Sequence, residues 1–361
     1  MPRLGAYAET MPLDELSHRR TLEIVQRYNL TVAYAVPLPL EPIAVDDRFW
    51  NGIRRWIDTF NQRGGRALLW PLLPKDHGYW LNERNARRFA ESMSRLLDWF
   101  DNCKADLPGV VYDVETPWQQ MSAMLDPQTC GLSKAAELLK FALENRNPRR
   151  FAGASQEIER MVRAVAQRCE TNYVAVFPLL LADLLVEGYR LQDLLEMPIF
   201  SVDYRNYNLM MYTSYLGDLM GNLLDRRGVT RMVFEQSRLL RERFGDHGQI
   251  TLGSNYEAVL PGKPLRTYGG PEDMRCDVAA AKAAGIKEFW LYCLEGVLYS
   301  DGAGTRRRSE RDARAWFEML IEAQPAEPEP SRRYTWLRNV ASVLNRDPIG
   351  KRLVARNLES D

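Results

Sequence analysis

The chain has 361 residues, 45% of them hydrophobic, so it can bury the core of a large single domain. Lysine and arginine together number 48, as do aspartate and glutamate, and the formal net charge is zero. This balance excludes the basic surface of a dedicated nucleic-acid-binding protein.

Neither a membrane protein nor a disulfide-stabilised secreted domain is indicated. No window of the sequence approaches a membrane span, and the apolar stretch at the N-terminus is too short for a signal peptide. The five cysteines are scattered without a C-x-x-C pair, which favours reduced thiols over disulfides or a zinc site. We therefore expect a cytoplasmic protein, with a secreted chain trimmed of its leader as the alternative.

Short β-rich runs alternate with longer amphipathic stretches from the first residues to about residue 323. Such alternation is typical of βα units around a parallel sheet, and eight units make a closed barrel. The predicted fold class is therefore α/β, a (β/α)8 TIM barrel. The predicted strands are residues 4–8, 31–36, 67–72, 109–113, 173–177, 208–212, 250–253 and 288–292.

Amphipathic helices are predicted between the strands. After the third strand, apolar side chains recur at helical spacing from Phe89 to Phe100, opposite a charged face. Between the fourth and fifth strands lie two helical patterns, residues 133–144 and 156–168, separated by a helix-breaking stretch at residues 145–150. We interpret this insertion as a helical excursion that borders the site.

A proline-rich segment is predicted to divide the chain. Residues 1–323 form the barrel, and residues 324–331, with three prolines and two glutamates, read as a linker. Residues 332–361 are basic with interspersed apolar side chains, so they form either a helix packed on the barrel exterior or a mobile tail.

The fourth predicted strand leads into two carboxylates, Asp113 and Glu115. Residues at the C-terminal ends of barrel strands face the catalytic opening, and alternate residues of a strand point the same way. Two negative charges so close raise one pKa, and a carboxylic acid kept protonated can donate to a leaving-group oxygen. We predict Glu115 as general acid and Asp113 as its modulator. The alternative for Glu115 is a structural ion pair with an arginine.

Residues 109–115, Gly-Val-Val-Tyr-Asp-Val-Glu, resemble the fourth-strand motif of chitinase-type and lysozyme-type glycoside hydrolases, whose terminal glutamate is the acid. Residues 210–212, Met-Met-Tyr, resemble the chitinase sixth-strand motif Met-x-Tyr-Asp, and Trp290 stands where that family keeps a tryptophan under the sugar. The resemblance implies a glycosidase that acts on a carbohydrate without a cofactor, with Tyr212 orienting the sugar.

The chain also departs from that family. Val111 and Pro108 stand where the family motif has further aspartates, and Thr213 replaces the aspartate of the sixth strand. These differences argue against cleavage assisted by an N-acetyl group of the substrate. A mechanism with two carboxylates then needs a partner for Glu115 from another strand end. The candidates are Glu9, Glu257 and Glu295.

Aromatic side chains are dense near the predicted strand ends. Flat rings with polar edges suit stacking on sugar faces, although the same rings suit a barrel core. We predict that a set of these rings, with one amide and one carboxylate, binds substrate. The set is Glu9, Tyr7, Trp70, Trp80, Trp118, Tyr212, Asn255, Tyr256, Trp290 and Tyr292.

Other kinds of site find less support. Neither a dinucleotide-binding G-x-G-x-x-G nor a P-loop occurs. With only three histidines, a metal-dependent barrel is disfavoured, and we predict no metal or cofactor. Two alternatives to a glycosidase stay open. One is a barrel with a degenerate site that binds a glycan or a protein without turnover, and the other is a lyase or isomerase that uses Lys75.

Overall fold

The computed structural model describes residues 2–118, 120, 146–169, 171–185, 187–214, 216, 224–256, 267–298 and 310–344. Within them, parallel strands close into a barrel in which each strand pairs with the next along the chain and the last pairs with the first. The predicted (β/α)8 barrel is confirmed. The strands are β1 (Arg3–Ala8), β2 (Thr31–Pro37), β3 (Arg66–Leu72), β4 (Gly109–Asp113), β5 (Asn172–Val176), β6 (Asn206–Met211), β7 (Gly248–Gly253) and β8 (Glu288–Tyr292).

The eight predicted strands are all present, with ends that differ from the prediction by no more than two residues. Every residue of β4, β5, β7 and β8 is buried. Strands of a parallel barrel are covered by helices on one face and by interior side chains on the other, so they read as continuous apolar runs. This double burial explains why the sequence predicts them well.

The helices turn their apolar faces to the strands. In the helix after β3, Phe89, Met93, Leu96 and Phe100 are buried as predicted. No described helix combines the length and the hydropathy needed to cross a membrane. The described helices are α1 (Leu13–Leu16), α2 (Arg19–Tyr28), α3 (Arg48–Gln62), α4 (Ala86–Asn102), α5 (Pro148–Ala166), α6 (Leu181–Leu185), α7 (Arg190–Leu195), α8 (Arg226–Phe244), α9 (Arg275–Ala283), α10 (Leu294–Leu298), α11 (Glu310–Glu322) and α12 (Arg332–Leu344).

The excursion after β4 differs in part from the prediction. Its first predicted helix, residues 133–144, lies outside the described residues. The second begins at Pro148 rather than residue 156, so the assignment of residues 148–150 to a helix break was wrong. Proline is tolerated at the first helical position because it has no N–H to leave unpaired there. The Asn147 side chain caps the helix by accepting the N–H of Arg150 at 3.0 Å.

The segment after α11 carries neither helix nor strand until α12 begins. Ala326 N–H donates to the Ala279 carbonyl at 3.1 Å, and Arg231 pairs with Glu327 at 3.0 Å. Residues 324–331 therefore run along the outside of the barrel, in contact with α8 and α9.

Aromatic rings fill the middle of the barrel. The Tyr7 ring lies 5.1 Å from Trp70 and 5.3 Å from Trp290, and Trp290 lies 5.3 Å from Tyr173. Gly5 makes room for this packing, since a Cβ there would lie 2.4 Å from the Trp290 ring. The interior is thus closed, and the C-terminal strand ends form a mouth above it.

Candidate active site

Beyond β4 the chain stays extended and presents two carboxylates at the mouth. Leu81 N–H donates to the Asp113 carbonyl at 3.0 Å, and Glu115 N–H donates to the Leu81 carbonyl at 3.1 Å. This pairing extends the strand geometry through Val114, so Asp113 and Glu115 project to the same side. Asp113 is 4% exposed, whereas Glu115 is partly exposed. The two side chains therefore meet where the barrel opens.

The two carboxyl groups share a hydrogen bond and are not both ionised at neutral pH. Burial raises the pKa of Asp113 to about 7, although the hydrogen bond from Glu115 opposes that rise. Burial, and then the negative charge of Asp113, raise the pKa of Glu115 well above its usual range. The pair therefore retains a proton on Glu115 at neutral pH.

Glu9, which follows β1, is a third carboxylate at the mouth. Its Oε1 accepts a hydrogen bond from the Tyr79 hydroxyl at 2.9 Å, and its Oε2 accepts one from the Tyr292 hydroxyl. Burial raises the pKa of Glu9, and both hydroxyls oppose that rise. The charge of Glu9 in turn raises the pKa of Asp113 and of Glu115. The ends of β1 and β4 thus bring three carboxyl groups within electrostatic range.

Glu295, which follows β8, holds the end of β1 in place. Its Oε1 accepts the backbone N–H groups of Glu9 at 2.8 Å and of Thr10 at 2.6 Å. The Thr10 hydroxyl donates to the same oxygen at 3.3 Å. Glu295 is 2% exposed. Its carboxylate therefore contacts the backbone that carries Glu9.

Tyr79 reaches Glu9 because of a tight turn after β3. A short 3-10 helix, Lys75–His77, is followed by Gly78 with a φ of 102° and then by Tyr79 with a φ of 57°. A Cβ on Gly78 would lie 2.7 Å from Asn85 Nδ2, so glycine suits both the conformation and the space. The sequence indicates this turn, but it does not show that the turn brings Tyr79 to Glu9.

Lys75 lies on the same rim. Its Nζ is 5.7 Å from the centre of the Tyr79 ring and 5.3 Å from that of Trp118, within the range of cation–π contacts. Its positive charge lowers the pKa of Glu9. The β3–β4 side of the mouth thus combines an ammonium group with aromatic rings.

The rings predicted to bind sugar fall into two groups. Partly exposed rings are Trp118, Tyr212 and Tyr256. Buried rings are Tyr7, Trp70, Trp80, Trp290 and Tyr292. Trp290 is 0% exposed and its Nε1 donates to Glu288 Oε1 at 3.0 Å, toward the opposite end of the barrel. The structure therefore places Trp290 in the barrel interior rather than at the mouth.

The ends of β6 and β7 contribute polar groups that are engaged elsewhere. Asn255 Oδ1 accepts the backbone N–H of Cys293 at 2.6 Å, which ties the β7 end to the β8 end. Thr213, which stands in place of the family aspartate, donates to Asp277 Oδ2 at 2.7 Å, behind the barrel wall. Glu257 lies outside the described residues.

Histidines do not gather at the mouth in the part of the chain that the structure describes. His77 lies in the turn after β3 and contacts Arg88, and His247 lies at the start of β7. Across the described ranges, no group of three or more His, Cys, Asp or Glu side chains is arranged to hold a metal ion.

Comparison with known proteins yields a fold but no family. No family model and no curated protein matches the chain. A GH5_18 from Bifidobacterium longum subsp. infantis is similar at 11% identity and a TM-score of 0.54, over 98% of this chain and 94% of that one. The AHE enzyme from Alicyclobacillus herbarius is similar at 11% identity and a TM-score of 0.52, over 90% and 98%.

A variant GH5_18 from Bifidobacterium longum subsp. longum ATCC 55813, solved in complex with Manb1-4GlcNAc, is similar at 11% identity and a TM-score of 0.50, over 91% of this chain and 81% of that one. At such low identity, these likenesses show a shared barrel fold. Activity must therefore come from the site itself.

Proposed function

We propose that the protein is a glycoside hydrolase in which Glu115 is the general acid. The observation that carries this proposal is the Asp113–Glu115 pair, two hydrogen-bonded carboxyl groups at the barrel mouth of which Glu115 is partly exposed and keeps its proton. A carboxylic acid that is protonated at neutral pH is what a departing glycosidic oxygen requires. The barrel fold shared with a GH5_18 is consistent with this assignment.

In the proposed reaction, Glu115 donates its proton to the glycosidic oxygen as the bond from that oxygen to the anomeric carbon breaks. Water then supplies a hydroxyl group to that carbon, and its remaining proton passes to the Glu115 carboxylate, which restores the enzyme. Burial, and then the negative charge of Asp113, raise the pKa of Glu115 and keep it protonated before the step. The reaction needs no cofactor.

Glu9 is the proposed second carboxylate. It is partly exposed, interacts electrostatically with Glu115, and holds two tyrosine hydroxyl groups that stabilise its charge. Glu295 instead binds backbone N–H groups, so we assign it to positioning Glu9. Glu257 stays the alternative partner that the sequence offers.

The partly exposed rings form the proposed sugar subsites. Trp118 borders the β4 side of the mouth next to Tyr79, at a ring distance of 5.8 Å. Tyr212, on the β6 side, lies 4.8 Å from the Tyr292 ring. The two rings thus lie next to the two tyrosines that bind Glu9, and we propose that they stack on successive sugars of a carbohydrate and place the bond between those sugars at Glu115.

The test is hydrolysis of a panel of aryl glycosides and defined oligosaccharides by the wild type and by Glu115→Gln. Glutamine preserves the shape of the side chain but cannot donate an acidic proton. We expect kcat/KM on the active substrate to fall by about 10²- to 10⁴-fold, as is typical when a general acid is lost.

The matched control is Glu91→Gln, a change of the same kind on the exposed face of α4, where Glu91 pairs with Arg87. This variant should retain wild-type activity. A wild type inert on every sugar, or a folded Glu115→Gln variant as active as the wild type, would overturn the proposal. Sugar binding without turnover would instead favour a non-catalytic binding barrel.

A further inference from the structure

A second polar site lies at the opposite end of the barrel, where the strands begin. Tyr7 on β1 and Trp290 on β8 point into the barrel, and residues an even number of positions away share that direction. This phase places Arg3 and Glu288, which are register partners, at the lowest interior level. On β3, Arg66 lies four positions before Trp70, so its side chain also points toward the barrel interior. The barrel base is thus charged where its middle is aromatic.

Arg3, Arg66 and their neighbours line an open cavity of about 450 Å³. Its charged lining residues are Arg3, Arg66, Arg205, Lys287 and Asp246. Glu288, 3% exposed, lies against Arg3 and adds a second carboxylate. Among the described side chains, Arg3, Arg66 and Lys287 alone set three cations against two carboxylates, which is an excess of positive charge even with Arg205 left aside.

The carboxylates at the base are already paired. Arg3 Nε lies 2.9 Å from Glu288 Oε2, and Lys287 Nζ lies 3.0 Å from Asp246 Oδ1. Arg66 differs, because its Nη2 donates to the Thr171 hydroxyl, a neutral partner. Arg66 also acts electrostatically on Glu288, the carboxylate that Arg3 pairs with, so among the described contacts two guanidinium groups share one negative charge and part of their positive charge is not neutralised. Holding such a charge in a concave site with other cations favours a bound anion.

We propose that this cavity binds the phosphoryl group of a small phosphorylated molecule. Guanidinium groups present parallel N–H donors that match phosphate oxygens. A phosphoryl group carries about −1.5 to −2 charges at neutral pH, which suits the positive excess of the cavity better than one carboxylate does. The cavity is also larger than an inorganic phosphate ion needs, so it has room for the rest of a small molecule.

The base cavity is separate from the mouth. Trp290, 0% exposed, and Tyr7, 3% exposed, fill the interior between them. A strand of five or six residues spans about 17–20 Å, which sets the separation of the two ends. The phosphoryl site is therefore independent of the proposed hydrolase activity, and either can fail without the other.

The test is calorimetric titration of the full chain at low salt with inorganic phosphate, pyrophosphate and glucose 6-phosphate. The variants are Arg66→Gln and Lys287→Gln, because the Lys287 side chain is 62% exposed and its loss should not affect folding. Arg19→Gln, on an arginine side chain that is 89% exposed on α2, is the matched control. Circular dichroism checks the fold of each variant.

We expect the wild type and Arg19→Gln to bind a phosphoryl probe with an affinity that falls with salt, and Arg66→Gln to bind about tenfold more weakly or worse. Lys287→Gln should show a smaller loss. Tighter binding of glucose 6-phosphate than of inorganic phosphate identifies a phosphorylated molecule as the ligand. The proposal is wrong if no probe binds the wild type at millimolar concentration, or if Arg66→Gln and Lys287→Gln both bind as the wild type does.

Discussion

Burial of Asp113 in the folded protein favours its protonated form, whereas its proposed role requires the negative charge. Its pKa in the folded protein is about 7, whereas an aspartate in an unfolded chain has a pKa of about 3.9. Folding therefore favours the protonated form. The stability that this preference contributes is complete below about pH 4 and is lost as the pH rises through about 7. The ionised form of Asp113, which raises the pKa of Glu115, therefore lowers the free energy of unfolding.

Asp113→Asn should therefore stabilise the protein at high pH. The amide cannot ionise, so the variant escapes the loss that the wild type suffers between about pH 4 and pH 8. We expect a gain in the free energy of unfolding of about 2–4 kcal/mol at pH 8. Urea unfolding at pH 4, 6 and 8 measures it. A stability difference between variant and wild type that does not grow with pH would contradict the assignment.

At the scale of secondary-structure elements, the mouth depends on how strand ends are joined. β1 and β8 are neighbours in the barrel, and beyond their paired residues Glu295 continues the link by accepting two backbone N–H groups of the β1 end. That backbone carries Glu9. The contact between the ends of β8 and β1 therefore sets the position of the Glu9 carboxylate at the site.

Glu295→Ala should loosen this link. The substitution leaves the N–H groups of Glu9 and Thr10 without their acceptor, so we expect the free energy of unfolding to fall by about 1–3 kcal/mol. If Glu9 is the second carboxylate, kcat should also fall.

Glu295→Gln is the matched control, because its amide oxygen can still accept both bonds and it should keep most of the stability and activity. Denaturant unfolding and steady-state kinetics of the two variants distinguish a positioning role of Glu295 from a chemical one. Equal loss of activity with alanine and glutamine would point to a chemical role for the carboxylate instead.

Elements whose burial shows as a local pattern of apolar residues could be predicted from the sequence. The strands are continuous apolar runs, and the Asp113–Glu115 pair depends only on strand alternation within three residues. The start of α5 could not be predicted, because a proline is taken to break a helix unless it is known to occupy the first turn. Nor could the contacts of Glu9, whose partners Tyr79 and Tyr292 lie 70 and 283 positions away. Closure of the barrel, rather than local pattern, brings them together.

At the scale of the whole molecule, zero net charge conceals a separation of charge along the barrel axis. Carboxyl groups gather where the strands end, and cations line the cavity where they begin. The aromatic interior between them excludes water, so the two sets interact across a medium of low dielectric constant rather than through solvent. Composition reports the sum of these charges, whereas only the fold reveals their arrangement.

A substitution in the C-terminal helix α12 can show whether this helix unfolds together with the barrel. Tyr334, 4% exposed, anchors α12 against α8, where its hydroxyl accepts from Gln236 Nε2 at 3.2 Å. We expect Tyr334→Ala to detach the helix, because the substitution removes its buried ring. Limited proteolysis should then cut faster within residues 324–331, while the thermal midpoint of the barrel moves by only about a few degrees.

Trp336→Ala is the control for that experiment, because Trp336 is 52% exposed on the same helix and its loss should change neither readout. The barrel strands do not depend on α12 for their pairing, so catalysis at the mouth should also be unaffected by Tyr334→Ala. A fall in the barrel midpoint of ~10 °C or more would instead show that α12 unfolds with the barrel as one cooperative unit. In that case, residues 332–344 belong to the barrel domain itself, and the segment at 324–331 connects two parts of one core rather than a domain and its extension.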